Sequence, residues 1–360
     1  MTGSGIATVA RQEFRLRIRA GRWKLLLAIF FAVLLGFTLL LRGALGSLAD
    51  NQLPFQGTVL YGGLMLFVLG LALLVVPALA AQSVNGDRER GTLATLQVTR
   101  LTAAEITLGK FVAAWGTALV FLALTFPLVA YAMTQGGVPF GRVVVVTLVL
   151  AVLLGTVCAI SLWLSSVLSR TTTSGVLAYL AVFGLTLGTL IVFGLVTAVT
   201  AETVKEPQVT CTGGGPGPNG SFVEPDCRPV PGEFYNTKRT RTDRTWWLLA
   251  PNPFVVLADA APQLPALDPR DGAGFSSGVR ARDLDPLGQI GSTVRDLRRP
   301  PSDSGIAFGF QLGENRQERP GAVWPTGLAV NIVLAAGALL LTVRRLRTPS
   351  RTLPRGQRVA

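Results

Sequence analysis

The chain has 360 residues, of which 49% are hydrophobic and 15% charged, a balance too apolar for a soluble protein of this length, so the composition predicts a polytopic membrane protein. Its formal charge is +13, from 33 Lys and Arg against 20 Asp and Glu, and it contains no histidine. That absence removes most general-base, nucleophile-activating and metal-site schemes, and with three cysteines a zinc or iron–sulfur centre is unsupported, so no catalytic or metal residue is expected.

Residues 1–21 predict a basic amphipathic helix. Ile6, Val9, Ala10, Phe14 and Ile18 recur at spacings of three and four, while Arg11, Arg15, Arg19 and Arg22 take other faces. Such a helix suits the cytoplasmic headgroup region. Six apolar runs follow, each near or above the ~20 residues that a helix needs to cross a ~30 Å hydrocarbon core. They are Leu25 to Leu41, Val59 to Ala81, Phe111 to Met133, Val143 to Leu168, Gly175 to Val199 and Thr326 to Val343. The expected fold is therefore an all-α polytopic membrane protein, with spans one to five in residues 22–200 and span six in 321–346. Basic residues precede the first run, but no small-x-small cleavage pattern follows it, so it reads as a span and not as a signal peptide.

Between spans two and three lies the charged stretch DRERGTLATLQVTRLTAAEITLGK, Asp87 to Lys110, within a loop of residues 83–110. Pro77 predicts a kink in the helix that enters it. Gly91 can break that helix, and Thr92 to Val98 predict a short one with Leu93 and Leu96 on one side. Thr102-Ala-Ala-Glu105 fits a capping box that starts a new helix running past Lys110 into span three. Farther along, Gly184-Leu-Thr-Leu-Gly188 in span five offers a small-residue face for close helix packing or a dimer contact.

Residues 201–320 form a long polar segment. Gly and Pro between Pro207 and Gly232 predict irregular structure. Trp246 and Trp247 suit the headgroup boundary, and Asn252 followed by Pro253 predicts an N-cap and first helical residue, so residues 246–261 read as a re-entrant or interfacial helix. From Pro265 to Pro320 the pattern predicts a loop-rich insertion without a core, its acidic side chains solvated. Residues 347–360 are a basic tail.

Charge orients the spans. With the N-terminus inside, segments 1–24, 82–110, 169–174 and 344–360 hold 17 Lys and Arg against four acids, whereas residues 201–320 hold 14 against 15. The excess falls on one side, as the positive-inside rule requires. Both termini are then cytoplasmic, in a plasma (inner) membrane, and 201–320 is extracytoplasmic. Flanking arginines of this kind point to lipid and give no case for nucleic acid. Cys211 and Cys227 fall in the outer segment, where a disulfide is expected, while Cys158 lies mid-span as a small apolar filler.

No phosphate-binding loop is present, since Gly109-Lys110 is followed by Phe111, and none of the six runs contains an ionisable residue of the kind that couples ion flow to transport. This leaves a passive pore, a scaffold or sensor with a ligand-binding outer segment, or a permease driven by a separate ATPase. Asp87-Arg-Glu-Arg-Gly-Thr-Leu93, then Thr99-Arg-Leu-Thr102, Glu105-Ile and Gly109-Lys110, resembles the cytoplasmic loop of type-2 ATP-binding-cassette (ABC) exporter permeases. Asn252-Pro253-Phe254 resembles the outer-leaflet helix before their sixth span, whereas the long outer segment departs from many relatives.

The resemblance implies a permease that pairs with a second permease, identical or homologous, and with two cytosolic ABC ATPase subunits. ATP and magnesium would sit on those subunits, and this chain would bind no cofactor of its own. Asp87, Arg88, Glu89, Arg90, Gly91, Thr92, Leu93, Leu96, Thr102 and Glu105 would form the coupling helix and its flanks. Glu89 and Arg90 would make charged contacts, and Leu93 and Leu96 would fill an apolar pocket on the ATPase. Gly184 and Gly188 would pack helices or permeases together. The cargo would be an amphiphile, lipid or hydrophobic drug.

Overall fold

A computed structural model of the chain describes residues 3–19, 21–49, 56–89, 101–212, 215–216, 222–223, 226–262, 285–298 and 321–347. Among these residues, six helices are long and apolar enough to cross a membrane: Trp23–Ser47, Gln56–Glu89, Ala103–Thr134, Phe140–Val167, Thr171–Val199 and Trp324–Leu346. They coincide with the six apolar runs. Span four is the centre of the bundle: Val146, Leu150, Leu153, Leu154, Val157 and the free thiol of Cys158 are all buried, and the helix packs on spans two, three and six. Spans one and five stay at the rim, with Leu25, Leu40, Val176 and Leu195 exposed.

Two spans are interrupted for identifiable reasons. Span two is helical over Gln56–Ala80, with Pro77 inside it, and after a turn resumes as Asn85–Glu89. Span three breaks between Ala103–Ala123 and Phe126–Thr134, where Pro127 has no amide to donate back into the helix. Thr125 sits in the break and donates its hydroxyl to Leu122 O at 2.7 Å.

The described parts of residues 201–320 are more regular than the composition predicts. Strands Glu202–Thr212 and Asp226–Arg239 pair antiparallel, from Glu202 opposite Arg239 to Thr212 opposite Asp226, with an irregularity between Pro207 and Val209. The expectation of irregular structure over 207–232 is thus corrected. In a two-stranded ribbon both strands are edges, so prolines cost few ladder bonds and the β-branched Thr203, Val204, Val209 and Thr210 prevail.

A second correction concerns residues 265–320. Pro286–Asp296 is a helix with Leu287, Gly291 and Val294 buried, and Asp285 is its N-cap residue. Asp285, one of the acids expected to be solvated, is buried and paired, and so is Asp259 in the helix before it. Asp285 accepts from Arg142 Nη2 at 2.8 and 2.6 Å, with both side chains almost fully buried. Asp259 accepts from Arg295 Nε and from the backbone amides of Val323 and Trp324 at 2.6 and 2.7 Å. A carboxylate thereby meets the free N–H groups at the start of span six. These two pairs fasten Pro286–Asp296 across the ends of spans four and six.

Removing one partner of a buried ion pair leaves an uncompensated charge, at a cost of roughly 3–5 kcal/mol. Arg142→Leu or Asp285→Leu should therefore lower the thermal midpoint of the detergent-solubilised chain sharply. The double variant should be more stable than either single one. Additive losses would show that the pair does not act as a unit.

Candidate functional site: the root of the charged loop

At one end of the bundle the amphipathic helix Gly3–Arg19 lies against the first turns of span three. Close approach is built into the sequence: a Cβ on Gly109 would come within 2.6 Å of Val9 Cβ. Val9 is buried in this contact, while Arg11, Arg15 and Arg19 remain exposed. The helix is therefore docked along one side, with its arginines free to meet lipid or a partner. Arg17 points inward and donates to Thr117 Oγ1 of span three at 2.8 Å. Burial lowers its pKa, against an opposing pull from Glu13, and a guanidinium stays charged through a shift of this kind.

The centre of this end is Lys110, fully buried about two turns inside span three. Its ammonium donates to Glu13 Oε1 of the amphipathic helix, to Asp87 Oδ2 and to Ser83 O, the last at 2.9 Å. Three N–H donors meet three acceptors, which satisfies a charge that would otherwise be costly to hold out of water. The helix carrying Lys110 starts with the expected capping box: Thr102 N donates to Glu105 Oε2 at 2.8 Å and Glu105 N donates to Thr102 Oγ1 at 3.3 Å. Both Glu105 and Lys110 thus depend on where this helix begins.

On the incoming side, the turn after span two is bonded to the junction of spans four and five. The Val84 and Asn85 amides both donate to Ser165 Oγ at 3.1 Å, and Ser174 Oγ donates to Ala81 O at 2.7 Å. Arg88 Nη1 donates to Leu168 O at 3.3 Å, and Thr171 N, in the first turn of span five, donates to Glu89 Oε1 at 3.2 Å. Asp87, Arg88 and Glu89 are therefore bound to the chain's own helices. Arg90, Gly91, Thr92, Leu93 and Leu96, with the short helix expected over Thr92 to Val98, lie outside the described residues. The structure brings together the two roots of the loop, Asp87 to Glu89 and Thr102 to Lys110, through Lys110.

Glu13 and Ser83 were not anticipated as partners of Lys110, nor Thr117 as a partner of Arg17. A signal for the first existed: Glu13 is the only acid among the first 24 residues, which carry six Lys and Arg.

The remaining expected residues lie away from this end, Gly184 and Gly188 in the middle of span five. Asn252 caps Pro253–Ala260, its Oδ1 accepting from Phe254 N at 2.9 Å. Arg298 lies 4.6 Å over the Trp246 ring, and Trp247 is exposed. Gly184 and Gly188 form the ends of a π-helical turn, and a Cβ at Gly184 would meet open space. The helix Pro253–Ala260 approaches the turn through its N-cap residue Asn252, whose Nδ2 lies 2.9 Å from Thr186 O. The ribbon register sets Cys211 opposite Cys227. No group of three or more potential metal ligands occurs among the described residues.

Together these features define a multi-pass α-helical membrane protein with a charged loop rooted in several of its helices. A family model described as ABC-2 family transporter protein matches residues 7–297, from the amphipathic helix through Pro286–Asp296, and the chain belongs to that family. Membership makes it a membrane component of an ABC transporter and implies partnership with an ABC ATPase subunit. No curated protein matches the chain.

Replacing Lys110 by Met removes three charge-assisted contacts, each worth roughly 1.5–3 kcal/mol. Trypsin should then cut at Arg11 and Arg15 about tenfold faster or more as the amphipathic helix undocks, while Lys110→Arg should show a smaller effect. Unchanged cleavage in Lys110→Met would mean that the helix is held by its apolar contacts alone.

Proposed function

We propose that the chain is the permease subunit of an ATP-driven ABC exporter, in which a separate ATPase drives an amphiphilic or hydrophobic substrate outward. The observation that carries the reading is the Lys110 junction. A buried cation joins both roots of the charged loop to the amphipathic helix, and Glu89 joins the same loop to the first turn of span five. A push on residues 90–100 would reach spans two, three and five together. No reactive chemistry is required of this chain, only a shift in population between two arrangements of the spans.

In this reading Glu89, Arg90, Leu93 and Leu96 contact the ATPase, and Asp87, Glu89 and Glu105 transmit its movement. Two ATPase subunits carry ATP and magnesium, and a second permease, identical or homologous, packs against span five with Gly184 and Gly188 at the contact. The family match and the exposed apolar side of span five support this arrangement. The termini are cytoplasmic in a plasma (inner) membrane, with the ribbon outside. The lack of ionisable residues in the apolar runs favours a lipid, a drug or a similar cargo over a small ion.

Full-length chain purified from its native membrane should bring down an ABC ATPase. Glu89→Lys or Gly91→Pro should weaken that association about tenfold, about 1.4 kcal/mol of binding free energy, without changing the amount in the membrane. A chain that purifies without any ATPase, or a Glu89→Lys variant with intact association and ATP turnover, would sink the proposal.

A disulfide between Cys211 and Cys227 is proposed as well. Directly opposed positions of an antiparallel pair have Cα atoms ~4.5–5.5 Å apart, within the ~4.4–6.8 Å that a disulfide spans. Such a closure contributes ~3 kcal/mol in the chain-entropy model. Reduction should slow the chain on a denaturing gel and release two thiols beyond Cys158; identical mobility with and without reductant, together with two alkylatable thiols, would refute it.

A further inference from the structure

The turn Gly184–Gly188 in span five is π-helical, with Thr189 N donating to Gly184 O five residues back. A π-turn shifts the hydrogen-bond register by one residue and leaves a carbonyl to be satisfied from outside the helix, a common feature of functional sites in membrane and soluble helices. Here the donor is Asn252 Nδ2, which lies 2.9 Å from Thr186 O and 2.9 Å from Thr189 Oγ1. The same side chain caps the re-entrant helix through its Oδ1. One buried amide therefore closes two irregular backbones at once.

The seam continues beyond Asn252. Its neighbour Pro251 accepts, through its carbonyl, from Asn331 Nδ2 of span six at 3.2 Å. Gly327 makes room for that contact: a Cβ there would lie 2.3 Å from Ala250 O. Asn331 O in turn accepts from Thr156 Oγ1 of span four at 3.2 Å. Thr156, Asn331 and Asn252 are each about 1% exposed. A connected line of neutral hydrogen bonds thus runs from span four through span six and the re-entrant helix to the middle of span five.

We propose that the π-turn is the bending point of span five, and that Asn252 is the positioning residue that makes its outer half move with the re-entrant helix. Elsewhere span five is held toward its two ends, where Tyr179 Oη donates to Leu74 O at 2.8 Å and Thr197 Oγ1 lies 3.0 Å from Thr245 Oγ1; at the turn itself Asn252 contacts Thr186 and Thr189, and a Cβ on Gly184 would meet open space. The nucleotide-dependent part of the inference rests on the permease reading; the pinning of the turn does not.

Spin labels at Val176→Cys and Leu195→Cys, both exposed, report the distance between the two halves of span five. They are placed in a chain with Cys158, Cys211 and Cys227 replaced by Ser and diluted with unlabelled chain. Asn252→Ser retains a capping oxygen, but its one hydroxyl sits on a shorter side chain and cannot replace the two N–H groups that Nδ2 gives to span five. In the nucleotide-free chain its distance distribution should be about twofold broader than with Asn252 in place, as expected for an unpinned bend. In the complex with the ATPase, ATP plus vanadate should shift the Asn252 chain by ~2 Å or more. Asn252→Ser should lose that shift while ATP hydrolysis stays within about twofold. Thr189→Val, which removes one of the two acceptors, should change both readouts in the same direction.

Unchanged widths in Asn252→Ser, or a nucleotide shift that survives it, would overturn the inference. If the purified chain carries no ATPase, the permease reading fails, and the nucleotide-free widths still decide whether Asn252 pins the turn.

Discussion

Away from water, polar groups seek their partners inside the protein, and this chain answers much of that demand with a small number of side chains that each serve two or three elements, although Arg142 Nε and Nη1 and the Tyr61 hydroxyl stay buried without a partner among the described residues. Lys110 neutralises Glu13 and Asp87 and also satisfies Ser83 O. Asp259 pairs with Arg295 and also caps span six. Asn252 caps one helix and fills the gap in another. Because the partners lie far apart in sequence, each such group converts local irregularity into a tertiary constraint, and the six helices acquire a defined arrangement without a hydrophobic driving force between them.

The two ends of the bundle use this device differently. At the end bearing the amphipathic helix, the charges converge on Lys110 and fix the two roots of the loop, Asp87 to Glu89 and Thr102 to Lys110. At the other end, Arg142 with Asp285 and Asp259 with Arg295 fold the outer segment back over the helices. A loop fixed at its roots transmits displacement, and a helix fastened at two points resists it. The first geometry suits a site that receives a push, and the second suits a closure.

Much of this was legible in the residues. The six spans followed from apolar length, the capping box at Thr102 and Glu105 from its spacing, and the helix beginning at Pro253 from Asn252. The ribbon was not, because Pro and Gly between 207 and 232 masked β-branched residues that pair across a turn. The helix Pro286–Asp296 carried a signal that was overlooked: Asp285 before Pro286, then Leu287, Ile290, Gly291 and Val294 at helical spacing. The pairings were illegible for a different reason. Arg142 with Asp285 joins positions 143 residues apart, and Thr186 with Asn252 depends on a π-turn that no local pattern announces.

The strengths of these contacts differ in a way that bears on motion. Leaving one charge of a buried ion pair uncompensated costs roughly 3–5 kcal/mol, whereas hydrogen bonds between helices within a membrane average only ~0.6 kcal/mol. The ion pairs lie at the bundle ends and the neutral hydrogen bonds lie along the seam from Thr156 to Thr189. A bundle so distributed yields first in its middle, where exchanging one carbonyl partner for another costs little, while the charged ends persist as blocks. Span five crosses that seam with the fewest buried side chains of the six, and its π-turn already departs from regular helix where the seam meets it. Bending there would change the relation between Thr171, where Glu89 is held, and the residues beyond Val199 without breaking either cluster of charges.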